Sequence, residues 1–220
     1  MSRIDFDIAH LLAGLLVLIS FLELYQDRLY ALLNVFAAHA LVLATSVAWQ
    51  AFIQDAPHLY VTAAIALVFK AIAIPVTLQR IVVRLGIHRT VETVLGVGLA
   101  MLAGVGLVAL SILLVLPVTH AAIALTRDDL ALALSVVLLG LLMMITRRNA
   151  VTQVVGFMSL ENGLILAAVG VRGMPLVVEM SVAFSVMVAF IIFGIFFFHI
   201  RERFDTLDLQ YLETFRGERE

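Results

Sequence analysis

The sequence of 220 residues contains no cysteine, and only 14% of its residues are charged. Without cysteine, disulfide bonds, thiolate zinc sites and cysteine-ligated iron–sulfur clusters are excluded. A soluble chain carries nearer a quarter charged residues, so an ordinary soluble domain is excluded as well. The net charge of −2 offers no basic surface, and nucleic acid is therefore not an expected partner.

Apolar residues are abundant instead and make up 63% of the chain. A helix needs about 20 apolar residues to cross the hydrocarbon core of a bilayer. The continuous apolar runs therefore predict an all-α, polytopic membrane protein with about seven transmembrane helices. The fifth run, with about 17 apolar residues, is the shortest for a crossing. The predicted segments are residues 8–25, 29–53, 58–79, 93–120, 130–146, 151–171 and 175–200.

Arginine is distributed unevenly among the breaks between these segments. With seven crossings, ten arginines fall on the side of the first, third and fifth loops and the C-terminus, against three on the other side. The positive-inside rule then predicts an outside N-terminus and a cytoplasmic C-terminus. The expected location is the inner (cytoplasmic) membrane of the cell, with multiple crossings in contact with lipid.

Four of the ionisable residues within the predicted crossings are singled out as candidates, because a charge there is costly and indicates function by default. Lys70, His39 and Glu161 each lie roughly ten to twelve residues into their segments, near the bilayer midplane. Glu179 follows Pro175 by four residues and lies at a shallower depth. Titratable groups at one depth on separate helices are typical of a proton path, and these four residues are its predicted members.

Three of these residues also have a structural interpretation. Lys70 can form a static ion pair with a neighbouring helix, His39 can be a packing residue, and Glu179 can reach an aqueous edge. Pro75, five residues after Lys70, removes a backbone donor and favours a kink beside the lysine. Glu23, close to the inner end of the first segment, is expected to be interfacial.

The sixth segment carries a stripe of small residues on the face opposite Glu161. Small residues let two helix backbones approach closely in a membrane, so this face is expected to pack against a neighbouring helix. Glu161 then points away from that interface. The stripe consists of Gly156, Ser159, Gly163, Ala167 and Gly170.

Histidines at the outer helix ends leave one cofactor class open. His10, His58 and His120 can in principle ligate a haem, but interfacial histidines are far commoner than haem pairs. The sequence carries no recognisable Ser-His-Asp, zinc or nucleotide-binding motif. No cofactor, no metal and no catalytic residue is therefore predicted.

Three stretches of the sequence resemble a known family. They are QVVGFMSLENGLILAAVG (153–170), GMPLVVE (173–179) and DLQYLETFRGE (208–218). In these stretches the chain resembles hydrogenase-4 component E. That family belongs to the membrane arm of energy-converting group 4 nickel–iron hydrogenases and formate hydrogenlyase-type complexes. The similarity extends over the whole chain in length and in the number of segments.

The last three segments are similar to the three-helix K subunit of bacterial complex I and to the C component of multisubunit cation/proton antiporters. This resemblance implies three regions in the chain. A four-helix membrane part spans residues 1–129, a K-like part spans 130–200, and a cytoplasmic amphipathic tail spans 201–220.

The K-subunit resemblance also implies a role for two carboxylates. Glu161 and Glu179 are the residue types that match the two carboxylates of the K subunit's charged axis. The match departs in detail, because aligning Asn162 with the family's asparagine puts Met158 in the position of its glutamate. Glu161 then follows one helical turn later.

The resemblance implies a non-catalytic membrane subunit of an oxidoreductase complex. Such a protein takes part in proton, or sodium, translocation through its buried Glu, Lys and His residues, and it anchors antiporter-like and other membrane-arm subunits. Redox centres then belong to other chains of a soluble arm. Three alternatives remain open: a purely structural scaffold of the membrane arm, a part similar to the C component of the antiporters, and a haem- or quinone-binding anchor.

Residues 204–220 carry apolar side chains at helical spacing on an otherwise charged segment. Over residues 201–220, six acidic residues outnumber four arginines, so attraction to anionic lipid is weak. The predicted tail helix is therefore expected to dock on an antiporter-like chain or on the base of the soluble arm, with a frayed tail as the alternative. Its apolar residues are Phe204, Leu207, Tyr211, Leu212 and Phe215.

Overall fold

A computed structural model describes residues 3–85, 93–118 and 124–170, together with residues 187, 188, 191 and 194. Within these residues every regular element is a helix, and the single backbone bridge joins Thr93 to Arg147. The α-helices are α1 (Arg3–Tyr25), α2 (Leu29–Gln54), α3 (Pro57–Ile65), α4 (Ile74–Leu85), α5 (Val97–Val118), α6 (Ala124–Thr146) and α7 (Ala150–Gly170).

The described helices match six of the seven predicted crossings. Six stretches are long and apolar enough to cross a membrane: one each in α1, α2, α5, α6 and α7, and one running from Pro57 to Val83 through α3 and α4. The fifth predicted segment, the shortest by sequence, lies in a helix of 23 residues. Most of the seventh predicted segment, with Glu179, lies outside the described residues, as does the tail. The predicted orientation of the termini and the three-region division stay predictions.

The buried core lies where these helices pack against one another. α6 packs most extensively against α7, α1 packs against α2 and α6, and α2 packs against α7 and against the rod of α3 and α4. α5 lies at the edge against α6 and α1. Its Leu102, Val105 and Leu113 are more than half exposed, which is the surface expected of a helix that meets lipid or another protein.

Glycines bring α6 and α7 into backbone contact. A Cβ at Gly140 of α6 would lie 2.5 Å from the backbone nitrogen of Leu160, and one at Gly163 of α7 would lie 2.7 Å from that of Val137. Gly156 makes a similar approach to the nitrogen of Met144, at 3.0 Å. The expectation that the small-residue stripe packs against a neighbouring helix is confirmed at Gly156 and Gly163.

The rod of α3 and α4 is interrupted by a π-helical segment, Ala66–Ala73. The backbone N–H of Ile74 donates to the carbonyl of Phe69, five residues earlier, which is the spacing of a π turn. Pro75 follows directly and has no N–H to give to the carbonyl four residues before it. The predicted disturbance beside Pro75 therefore takes the form of a widened turn, and Lys70 lies inside it.

Candidate functional site: a buried polar network

Lys70 lies at the centre of a group of polar side chains in the middle of the bundle. Lys70 is the only lysine of the chain, and its side chain is 1% exposed although its ammonium group is polar. Its Nζ donates a hydrogen bond of 2.8 Å to Oδ1 of Asn162 and lies 3.1 Å from Oε2 of Glu161. Both partners come from consecutive positions of α7, so the lysine joins the widened turn of one rod to α7.

Asn162 extends the contact from Lys70 to α2. Its Nδ2 lies 3.3 Å from Nδ1 of His39, and both residues are fully buried. On the other side of the ring, Nε2 of His39 lies 3.4 Å from Oγ of Ser20, which donates its own proton to the carbonyl of Leu16. Because that hydroxyl proton is used, Nε2 of His39 is the donor to Ser20, and Nδ1 is the acceptor from Asn162.

Glu23 of α1 completes the group at the end nearer the α1–α2 turn. Oε2 of Glu23 accepts a hydrogen bond of 2.7 Å from Oγ of Ser159, and Oε1 lies 3.5 Å from Nδ1 of His39. The side chain is 1% exposed. We refer to these seven residues as the buried polar network: Ser20, Glu23, His39, Lys70, Ser159, Glu161 and Asn162.

A second buried cation lies beside the network. Arg147 follows α6 directly and is 2% exposed, and its Nη2 donates to the carbonyls of Glu23 (3.1 Å) and Leu24 (2.8 Å). A cation at these positions neutralises the negative end of the α1 dipole. Burial lowers the pKa of Arg147, and the nearby charge of Asp27 opposes that shift. A guanidinium nevertheless stays charged in proteins, so Arg147 is a fixed positive charge at the end of α1.

Three of the four residues predicted for a proton path are assembled in one cluster. Lys70 and Glu161 contact each other, and Asn162 bridges Lys70 to His39. Lys70 lies inside the protein, with a carboxylate within reach of its ammonium. The expectation that Glu23 is interfacial is wrong, because its carboxylate points inward to Ser159 and His39. The fourth predicted residue, Glu179, lies outside the described residues.

Sequence reasoning missed the polar residues that connect the titratable ones. Asn162 is recognisable in the sequence as a polar residue next to Glu161 in a membrane segment. Its bridging position depends on where α2 lies, which the sequence does not show. Ser159 was assigned to the packing stripe, yet its hydroxyl bonds Glu23. Ser20 and Glu23, three residues apart on α1, share one helix face, and that spacing was the signal for Glu23.

The histidines considered for haem do not form a ligand pair in the described part of the chain. His10 lies 3.0 Å from Oδ1 of Asp129 at the surface, and His58 is exposed at the start of α3. His120 lies outside the described residues. Within the described ranges, no group of three or more His, Asp and Glu side chains is arranged to hold a metal ion.

Comparison with known proteins places the chain among membrane-complex subunits. It is 30% identical to the uncharacterized protein Rv0085 of Mycobacterium tuberculosis over 220 residues, which is 98% of this chain and 100% of that protein. It is 27% identical to hydrogenase-4 component E of Escherichia coli K12 and of Shigella flexneri over 208 residues, which is 94% of this chain and 96% of theirs.

No family model and no solved structure matches the chain. The similarity to the complex I K subunit therefore stays a prediction. The relatives, by contrast, are matched over nearly their whole length. This is a multi-pass membrane protein, and it is homologous to hydrogenase-4 component E over nearly its whole length.

Proposed function

We propose that the chain is a membrane subunit of an energy-converting complex and that its buried polar network carries protons within the membrane arm. The observation that carries the proposal is the unbroken series of contacts from Lys70 and Glu161 through Asn162 and His39 to Glu23. Intramembrane ionisable residues are costly to retain and typically mark ion or proton pathways.

His39 is the group through which a proton can move in this arrangement. In the neutral ring, Nδ1 accepts from Asn162 while Nε2 donates to Ser20. When the ring gains a proton at Nδ1, that N–H faces Oε1 of Glu23, 3.5 Å away. A proton shared between Glu23 and His39 therefore has two positions, and the neighbouring amide must reorient when it moves.

Lys70 and Glu161 set the electrostatic field in which that proton sits. The ammonium is 3.1 Å from Glu161 and is separated from His39 by one amide group. In the proposed path the lysine ammonium repels a proton that arrives at His39, and the carboxylate of Glu161 counteracts that repulsion. Lys70 and Glu161 thus act on the same proton, as an electrostatic gate requires.

The chain has no cysteine to ligate an iron–sulfur cluster, so we assign such clusters to other subunits of the complex. We propose antiporter-like and other membrane-arm chains as neighbours, with the tail 204–220 docking on one of them or on the soluble arm. The exposed apolar surface of α5 is a second surface for such a neighbour.

The test is the substitution Glu161→Gln in the complex that co-purifies with this chain, reconstituted into vesicles. Proton uptake or release is measured with a pH-sensitive dye and divided by the rate of electron transfer. We expect the ratio to fall several-fold with normal assembly, because only the charge changes. Asp129→Asn is the matched control, since it removes a carboxylate that pairs with His10 outside the network.

A wild-type ratio in Glu161→Gln would overturn the proposed function. If Lys70→Gln, His39→Gln and Glu161→Gln all assemble and pump as the wild type does, the network is structural and the chain is a scaffold of the membrane arm. A loss of assembly in these variants, with Asp129→Asn unaffected, would point the same way.

A further inference from the structure

Two buried side chains that meet near the C-terminal end of α1 each have one polar atom without a hydrogen-bond partner among the described residues. These atoms are Oε1 of Glu23 and Nη1 of Arg147. The other guanidinium nitrogen of Arg147, Nη2, bonds the backbone carbonyl of Glu23 itself. Unpaired buried polar atoms cost free energy, and in native proteins ordered water commonly satisfies them.

This corner of the bundle lies next to two turns that reach the surface. Glu23 is two residues from the end of α1, and Arg147 begins the turn between α6 and α7. Besides Arg147, the charged residues of these turns are Asp27 and Arg28 in the first and Arg148 in the second, and all three are exposed. The distance from Glu23 to bulk water is therefore short along α1, whereas Lys70 lies in the middle of its rod.

The remaining network groups on this side already have partners. Asn162 uses its oxygen for Lys70 and its nitrogen for His39, and both nitrogens of His39 have contacts. The carboxylate of Glu23 has one oxygen occupied by Ser159 and one facing His39. Glu23 is the network residue placed to receive a proton from the surface and to pass it to His39.

We propose that Glu23 is the end of the network that exchanges protons with water, through buried water between its carboxylate and Arg147. This inference rests on the proposed function and adds the side of the membrane from which the network is reached: the side of the turns at residues 26–28 and 147–149. Arg147 is a positioning residue there. It fixes the end of α1, and its permanent charge disfavours the entry of free cations.

Because this chain has no native cysteine, a single introduced thiol is the only thiol on it. Ser159→Cys places a thiol where the hydroxyl bonds Glu23, and Ser20→Cys provides a second probe in the network. Ser135→Cys is the matched control, because Ser135 is equally buried and bonds Ser111 outside the network. Silver ion is added to the purified complex. After denaturation the unreacted thiol is labelled with a fluorescent maleimide, and the label is measured on this chain alone, separated from the other subunits by gel electrophoresis.

We expect silver to modify Ser159→Cys at least about tenfold faster than Ser135→Cys, because thiol reaction requires access to water. Equal rates at the two positions, whether fast or slow, overturn the proposal. If Ser159→Cys does not assemble, Ser20→Cys gives the same comparison with Ser135→Cys. These rates do not depend on pumping, so a failure of the proposed function in Glu161→Gln is separable from a failure here.

The role of Arg147 is tested in the Ser159→Cys background with Arg147→Gln and Arg147→Lys. Both substitutions disturb the paired bonds to the α1 carbonyls, but only glutamine removes the charge. We expect the silver rate to rise several-fold in Arg147→Gln and to stay near the parent value in Arg147→Lys. If the silver rate changes equally in the two variants, the charge of Arg147 does not control cation entry, and its proposed role is overturned.

Discussion

The two faces of α7 contact their neighbours by different chemistry. On one face Gly156 and Gly163 lie against the backbone of α6, and at Gly163 the distance leaves no space for a methyl group. On the other, Glu161 and Asn162 bond Lys70 across the bundle. The first interface depends on the shape of the helices, and the second depends on matched charge and hydrogen bonding. Since both are on one rigid helix, the glycine contact sets the position of the polar groups.

The largest expected effect is on the polar face. Lys70→Met leaves the carboxylate of Glu161 without its cation, and removing one partner of a buried pair costs about 3 kcal/mol or more. We expect the double substitution Lys70→Met/Glu161→Gln to recover more than half of that loss in free energy of unfolding. Denaturant titration of the detergent-solubilised protein measures both. No recovery in the double variant would mean that the lysine is retained for its shape and not for charge.

The next effect is on the glycine face. Gly140→Ala puts a methyl group against the backbone of Leu160, so α7 has to shift, at a cost of about 2 kcal/mol. Gly106→Ala is the control, because a Cβ there meets nothing within 4 Å and alanine favours the helix by up to about 1 kcal/mol. Thermal unfolding should place the two variants on opposite sides of the wild type. If they coincide, the close approach of α6 and α7 is wrong.

A smaller effect is expected at Asn162, the uncharged residue of the polar face. Asn162→Leu keeps the volume but leaves Lys70 and His39 without their bridge, at a cost of about 1.5 kcal/mol. Asn34→Leu is the matched control, because Asn34 bonds Gln79 at an exposed position. We expect the control to change the unfolding free energy by less than half as much. Equal losses would mean that burial of the bridge contributes nothing.

The smallest effect is expected away from both faces. Asp129→Asn weakens the contact with His10 at the surface, where exposed pairs contribute less than about 1 kcal/mol. The unfolding midpoint should stay within error of the wild type, and raising the salt concentration should not separate the two. A loss as large as that of Asn162→Leu would show that the surface pair holds α1 to α6.

Part of the candidate site was predictable because a membrane makes an internal charge conspicuous. Lys70, His39 and Glu161 stand out in apolar runs, and their equal depth follows from the rise of a helix. Glu23 was misassigned for a related reason. Its position close to a helix end indicates shallow depth, whereas its carboxylate reaches inward to His39. The position of a residue along its helix does not predict where the polar end of a long side chain lies.

The sequence by itself determined the class of protein: apolar runs of membrane length make a helical bundle, because each backbone polar group must be bonded within its own segment. It also determined which residues are expensive to bury. Only the tertiary structure decided which of them meet, because the rotation of each helix about its axis is set by packing. It placed Lys70 in a π turn facing α7, joined it to His39 through Asn162, and brought Arg147 to the end of α1. Those contacts join residues distant in the chain, and no local pattern encodes them.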